Sequence, residues 1–392
     1  MSQTTKLNFN QKLFLYTSFG ILTTSSLMYY NYYKKKQGNN LSKLSQKSLK
    51  EDPLHRSRTF QPLNNRNNVV IFSGSAHKQL SESVAKSLGT NLARLETKTF
   101  KDGECSIRIV ESIRGKEVFI IQPTCPPVNE NLVQLLLTIS AMKRSSAYKI
   151  TAVIPYYGYA RADRKLSSRI PISAADVAKM LEVLGVDRVI SVDFHCGQIQ
   201  GFFGPSVPVD NLKAQTIMVD YLTKSGLIKN YNKLVIVSPD AGGVYRAKEF
   251  ADLLTEKTGT SIAITMVVKE RSRPNEVSKM ELVGDVKDND CIIIDDMIDT
   301  GGTLSLAAKV LKDNGARKVY AFATHGLFSG NGIEVIKNSV LDKVFVTDTI
   351  PPKDVKCDKI EYIPIGILIA EAIRRIQNSE SLSEIFKTTS KL

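Results

Sequence analysis

The chain has 392 residues, which at roughly 150 per domain gives two or three domains, and 42% hydrophobic with 23% charged side chains excludes a disordered chain or a fibre. Its five cysteines (Cys105, Cys125, Cys196, Cys291 and Cys357) lie far apart without C-x-x-C spacing, which excludes a disulfide framework and a thiolate zinc site and fits a reducing compartment. Taken whole, a net charge of +14 would point to a nucleic-acid or acidic-membrane partner.

That charge is concentrated in a tail. Residues 1 to 66 hold 11 basic side chains against two acidic ones, Glu51 and Asp52, for a net +9; the rest holds 42 against 37, or +5. No nucleic-acid partner is expected for the body. Within the tail, Leu13 to Tyr33 is a 21-residue run without a charge, ending at Lys34-Lys35-Lys36. It is long enough to span a hydrocarbon core, and Tyr29, Tyr30, Tyr32 and Tyr33 suit a membrane interface, but Thr17, Ser18, Thr23, Thr24, Ser25, Ser26 and Asn31 interrupt it. The run reads as a membrane anchor, with a mitochondrial or other organellar targeting segment and a plain polar tail as the alternatives. As an anchor, it would leave the body of the chain on the cytoplasmic side. Residues 37 to 66 are too polar to build a core and read as a linker.

From Val69 onward, β-branched runs alternate with helix-period segments. Strands are expected at Val69 to Phe72, Glu117 to Gln122, Ile150 to Ile154 and Val189 to Val192. Helices are expected between them, over Leu80 to Leu88 with a stop at Gly89, along the face Leu132, Leu135, Leu136, Ile139 and Met142, and near Ser173 to Leu184. The alternation restarts after about residue 213, with strands at Leu234 to Val237, Ile262 to Val268, Cys291 to Ile294 and Val319 to Ala323, and helices at Val244 to Leu254 and Leu304 to Leu311. Runs apolar on both parities imply strands buried on both faces, hence mainly parallel sheets in two tandem α/β domains, 67 to 212 and 213 to 386, followed by a short tail, 387 to 392. Ligands in such sheets sit beyond the carboxyl ends of the strands.

The most informative such end is Cys291-Ile-Ile-Ile-Asp-Asp-Met-Ile-Asp-Thr-Gly-Gly-Thr303. Asp299, Thr300, Gly301, Gly302 and Thr303 open a helix whose N–H groups can hold a phosphate without a cationic side chain. Asp295 and Asp296 can accept from two vicinal hydroxyls. Phosphate on one side and diol on the other describe a ribose phosphate. A capped turn is the bland alternative, and the two acids at the strand end weigh against it.

This segment resembles the phosphoribosyl-diphosphate loop shared by type I phosphoribosyltransferases and the ribose-phosphate diphosphokinases, also called phosphoribosyl-diphosphate synthetases. Tyr159-Ala-Arg-Ala-Asp-Arg164, Asp193-Phe-His-Cys-Gly-Gln-Ile-Gln-Gly-Phe-Phe203, Ser238-Pro-Asp-Ala-Gly-Gly243, Lys269-Glu-Arg271 and Ile369-Ala-Glu-Ala-Ile-Arg-Arg375 resemble the diphosphokinase in order and spacing, across Val69 to Phe386. The resemblance implies two type I phosphoribosyltransferase-like domains. It also implies transfer of the diphosphoryl group of magnesium ATP to the C1 hydroxyl of ribose 5-phosphate, which serves nucleotide biosynthesis.

Residue roles follow by the same resemblance. Lys269 and Arg271, on a mobile loop after a strand, would be catalytic; spacing i, i+2 puts the two cations on one side. Phe100, Asp102, Glu104, Arg161 and His195 would bind ATP, with Phe100 stacking on adenine, although Asp102-Gly103 also reads as a plain hairpin turn. Magnesium would meet His195 and Asp240. Ser112, Arg114, Ser381 and Ser383 would bind activating inorganic phosphate and inhibitory ADP. A hairpin reaching the neighbouring subunit's site would require a homo-oligomer, dimers building a hexamer, or a hetero-oligomer with paralogues. Ala162, Leu166, Ser167 and Tyr245 depart from the family's usual residues, which bears on ATP affinity and regulation. The competing readings are a catalytically silent regulatory subunit and a nucleobase phosphoribosyltransferase.

Overall fold

A computed structural model describes residues 68 to 270 and 279 to 387. The tail and its segment 13 to 33, Arg271 and residues 388 to 392 lie outside them. Among the described residues no helix is long and apolar enough to cross a membrane.

The chain enters through β1 (Val69–Ser73), α1 (Lys78–Ser87) and a two-residue β2 (Leu92–Ala93). An antiparallel ribbon follows, β3 (Leu95–Thr99) with β4 (Cys105–Ile109). After it come β5 (Glu117–Ile121), α2 (Val128–Arg144), β6 (Lys149–Ile154), α3 (Ser173–Val183), β7 (Arg188–Val192) and β8 (Val209–Leu212). Six of these strands make a parallel sheet in the order β2-β1-β5-β6-β7-β8.

α4 (Gln215–Ser225) leads into a second run. It comprises β9 (Leu234–Ser238), α5 (Val244–Thr258), β10 (Ala263–Glu270), β11 (Lys279–Val283), β12 (Asp290–Ile298), α6 (Gly302–Asp313), β13 (Lys318–Gly326), α7 (Gly332–Asn338), β14 (Lys343–Thr347), β15 (Ile360–Ile363), α8 (Gly366–Gln377) and α9 (Ser383–Lys387). Its sheet runs β11-β10-β9-β12-β13-β14-β15 and is parallel except for the antiparallel β10/β11 pair. The expected strands and helices are present, most shifted by a residue or two at their ends. One placement is corrected: Lys269 does not follow a strand but belongs to β10, where it pairs with Met280, because the ladder to β11 carries the strand on to Glu270.

Alternate residues of the strands feed different cores, as the two-faced apolar pattern requires. On β5, Phe119 and Ile121 join a central core while Val118 and Ile120 join an outer one. On β12, Ile292 and Ile294 join the same central core, and Cys291 and Ile293 a third. That central core takes residues from both sheets and from α1, α4, α5 and α8. The last long helix, α8, is buried nearly all round, and its Gln377 Nε2 donates to Glu117 Oε2 of β5 at 2.7 Å.

Asp348 sits just before this helix's entry, where its carboxylate accepts from the Ile365 N–H at 2.7 Å. Burial pushes its carboxyl up to about 6, against a partial pull downward from backbone N–H groups. An acid whose folded value lies above its unfolded value of about 3.9 stabilises the fold below that pH and loses the contribution as pH rises through 6. Asp348→Asn keeps an acceptor and removes the ionisation. Its stability relative to wild type should therefore rise by on the order of 1 kcal/mol between pH 4 and pH 7 in urea melts. A constant difference across that window would refute the assignment.

Candidate active site

Four loops meet at the carboxyl ends of the strands: those after β6, β7, β9 and β12. They enclose a cleft of about 920 Å³ lined by Arg161, Arg164, His195, Asp240, Arg246 and residues 295 to 301, with Thr303 and Leu304. This is where parallel α/β sheets place ligands.

One wall is built by β12 and α6. Gly301 has φ 76°, a left-handed turn that favours glycine, and a Cβ there would lie 3.1 Å from Ile336 Cδ1, so a larger residue would also have to shift that side chain. Helix α6 starts at once, and no side chain caps its first N–H groups. Uncapped N–H groups at a helix start, with the positive end of the dipole, make a phosphate cradle.

Just upstream the two acids are not equivalent. Asp296 is buried, its side chain 4% exposed, and its two oxygens serve His195 Nδ1 (2.7 Å) and Arg246 Nη1 (3.3 Å). Asp295 is one-third exposed, accepts from the Asp296 N–H (2.8 Å), and lies 3.3 Å from the same Arg246 nitrogen. Asp295 is thus the acid open to a sugar hydroxyl. Burial raises Asp296, but the His195 bond and the Arg246 charge outweigh it and hold the carboxyl well below the usual range. Burial first, then the Asp296 charge, pushes Asp295 upward. His195 moves up, chiefly through its bond to Asp296.

The opposite wall comes from the loops after β6, β7 and β9. Arg161 donates to Asp299 Oδ2 at 2.6 Å, tying the loop after β6 to the loop after β12. Gly243 sits tight beneath Asp240: a Cβ would lie 2.8 Å from Ser238 Oγ, and its N–H donates to Asp240 Oδ1 at 2.9 Å. Among the described residues no group of three or more His, Cys, Asp and Glu gathers as a metal cage. Magnesium needs none, because it keeps waters and takes one or two protein groups plus phosphates. His195 and Asp240 line one cleft, and among the described residues His195 commits only Nδ1 and Asp240 only Oδ1, which fits that sparse requirement.

Other expected residues lie elsewhere. Phe100, Asp102 and Glu104 occupy the tip of the β3/β4 ribbon, closed by Phe100 N–H to Glu104 O (2.7 Å) and by Gly103 at φ 95°, and they do not line this cleft. Phe100 is 45% exposed, with Lys98 Nζ 5.2 Å from its ring centre. Arg114 donates to Ser146 Oγ (3.0 Å), and Ser381 and Ser383 bond each other (2.6 Å). Arg246 was invisible as a site residue in the sequence. The one available signal was an arginine in the first turn of a helix entered through Gly242-Gly243.

The residue patterns have close counterparts in known proteins. Residues 69 to 185 match the N-terminal domain of ribose phosphate pyrophosphokinase, and residues 255 to 387 match the phosphoribosyl synthetase-associated domain. A ribose-phosphate pyrophosphokinase of Helicobacter pylori is 48% identical over 316 residues, covering 81% of this chain and 95% of that one. Ribose-phosphate pyrophosphokinase 2 of Schizosaccharomyces pombe is 47% identical over 322 residues, covering 82% and 98%. The crystal structure of phosphoribosylpyrophosphate synthetase from Mycobacterium smegmatis superposes with a TM-score of 0.73 at 38% identity, over 80% of this chain and 99% of that one. With this identity sustained over nearly the whole length of its relatives, and with the phosphate cradle and paired acids in place at the strand ends, the chain belongs to the ribose-phosphate pyrophosphokinase family.

Proposed function

We propose that this chain is an active ribose-phosphate pyrophosphokinase that transfers the diphosphoryl group of magnesium ATP to the C1 hydroxyl of ribose 5-phosphate, giving 5-phosphoribosyl 1-diphosphate and AMP. The observation that carries it is the single cleft with an uncapped helix start and Asp295 on one wall and His195 with Asp240 on the other. The helix start holds the 5-phosphate through the N–H groups of residues 300 to 303, and Asp295 accepts from a ribose hydroxyl. The C1 hydroxyl oxygen attacks the β-phosphorus and gives up its proton to solvent, the bond from the β-phosphorus to the oxygen bridging the α-phosphate breaks, and AMP leaves carrying that oxygen. Such a transfer needs alignment and positive charge on the migrating oxygens more than covalent catalysis. Lys269 and Arg271 supply that charge, and Arg161 turns from Asp299 to the phosphates of ATP. His195 and Asp240 would hold magnesium, which when bound neutralises charge on the phosphate oxygens.

Phe100, Asp102 and Glu104 bind adenine in this reading, presented by a second copy of the chain because their ribbon tip lies off the cleft. A homo-oligomer, or a hetero-oligomer with paralogues, follows. Ser112, Arg114, Ser381 and Ser383 form the site for activating phosphate and inhibitory ADP. The domain division near residue 212 and a cytoplasmic body with an anchoring or targeting tail belong to the same proposal; fusing residues 1 to 50 to a fluorescent reporter tests the tail.

The full chain incubated with magnesium ATP should release AMP only when ribose 5-phosphate is present. No AMP, with stimulation of an added active enzyme, would establish a regulatory subunit instead. That reading is disfavoured because Lys269, Arg271, His195 and both acids are all present. Gly301→Ala, which forces a side chain into left-handed backbone against Ile336, should raise KM for ribose 5-phosphate about 10-fold and leave KM for ATP within about twofold. Equal changes in both constants would contradict the phosphate cradle.

A further inference from the structure

Asp193 directly follows β7 and has a left-handed backbone, φ 40°. A non-glycine residue keeps that conformation where its surroundings hold it. Here the Asp193 N–H donates to Leu212 O (2.9 Å), and its Oδ2 accepts from the Ala214 N–H (3.0 Å) and from Thr324 Oγ1 (2.8 Å). Its carbonyl oxygen lies 3.2 Å from His325 Nε2. Two residues further on, His195 makes its bond to Asp296. His325 stands on β13, paired in the ladder with Met297 of β12, next to Asp296; it is buried, with the Tyr156 ring edge-on at 5.0 Å.

The ring's proton can be placed by elimination. A carbonyl oxygen only accepts, so Nε2 carries the hydrogen and donates to Asp193. Nδ1 lies 2.9 Å from Thr349 Oγ1 and accepts from that hydroxyl; the Thr324 carbonyl, a longer 3.1 Å from the same oxygen, is already served by Thr347 Oγ1 at 2.7 Å. Both ring nitrogens are satisfied inside the core, as a buried polar group requires.

We propose that His325 is a positioning residue for the diphosphoryl transfer. By donating to the Asp193 carbonyl it fixes the peptide between Asp193 and Phe194, and so aims His195 at Asp296. The bond from β13 and the bond to Asp296 act as two braces on one short loop, keeping the ATP side of the cleft in register with the ribose-phosphate side. His325 itself touches no substrate. The proposal rests on the reaction assigned above.

His325→Phe should lower kcat/KM for magnesium ATP about 10- to 100-fold, the usual cost of removing an outer partner of a ligand. His325→Gln, whose amide N–H can reach the same carbonyl, should recover most of that loss. The decisive comparison is the double variant His195→Ala/His325→Phe, which should be no slower than His195→Ala alone, because His325 acts only through His195. Losses that multiply independently, or wild-type kinetics in His325→Phe, would overturn the proposal. A readout free of folding defects uses the wild-type full chain labelled with ¹⁵N at its four histidines. His325 should carry its proton on Nε2, and a proton on Nδ1 would equally overturn it. Absence of AMP formation by the wild type would instead reject the assigned reaction and leave the nitrogen measurement to judge the brace.

Discussion

Lys269→Ala should lower kcat at least 100-fold while the dissociation constant for magnesium ATP changes by no more than about twofold. Negative charge on the migrating phosphoryl oxygens is redistributed in the transition state, and removing one preorganised donor from such a site costs about 2.7–4 kcal/mol, or 10²- to 10³-fold. ATP in its ground state is held by many other groups, so binding should hardly respond. Lys269 is suited to the task because the β10/β11 ladder fixes its backbone opposite Met280. Steady-state kinetics paired with calorimetric titration of ATP separates the two effects. A loss in binding as large as the loss in turnover would sink the assigned role.

The paired acids carry the second large prediction, and they should part company when substituted. Asp296→Asn removes the carboxylate that holds His195 Nδ1 and half of the acid pair at Arg246. Breaking a buried ion pair from one side costs about 3–5 kcal/mol, since the partners stay behind uncompensated. His195 is 35% and Arg246 25% exposed at the side chain, so about 2 kcal/mol is the better expectation here, together with a fall in kcat of roughly 100-fold. Asp295→Asn should behave oppositely. Burial and the Asp296 charge already disfavour its ionised form, so its loss should be neutral or slightly stabilising, with the kinetic defect confined to KM for ribose 5-phosphate. Urea melts and initial rates on both variants check this. Destabilisation by Asp295→Asn with none by Asp296→Asn would invert the roles.

How much of this was legible in the sequence depends on where each residue lies. The central strands β1, β5, β6, β7, β9, β12 and β13 announce themselves because both their faces are buried, so every position is free to be apolar. At the edges of the two large sheets, β8, β11 and β15 carry mixed runs such as Val-Asp-Asn-Leu and Lys-Met-Glu-Leu-Val, and β2 is only two residues long, so the apolar alternation leaves them unmarked. An edge strand has a sheet neighbour on one side only, so its composition is less constrained. The ribose-phosphate loop was legible for a related reason: Gly301 and the acids before it act through local backbone geometry and short spacing.

The sequence alone determined the family, the place of the phosphate cradle, and the fact that most of the +14 charge belongs to the first 66 residues rather than to the body. Only the tertiary structure decided which of two adjacent aspartates is buried and which is open, that Arg246 serves both, and that His195, 101 positions before Asp296, is its partner. It also decided that His325 reaches back to Asp193. Spacing along the chain sets the direction in which a side chain leaves its own strand. Burial and charge pairing depend on which distant strand ends the two sheets bring together, and no local pattern records that.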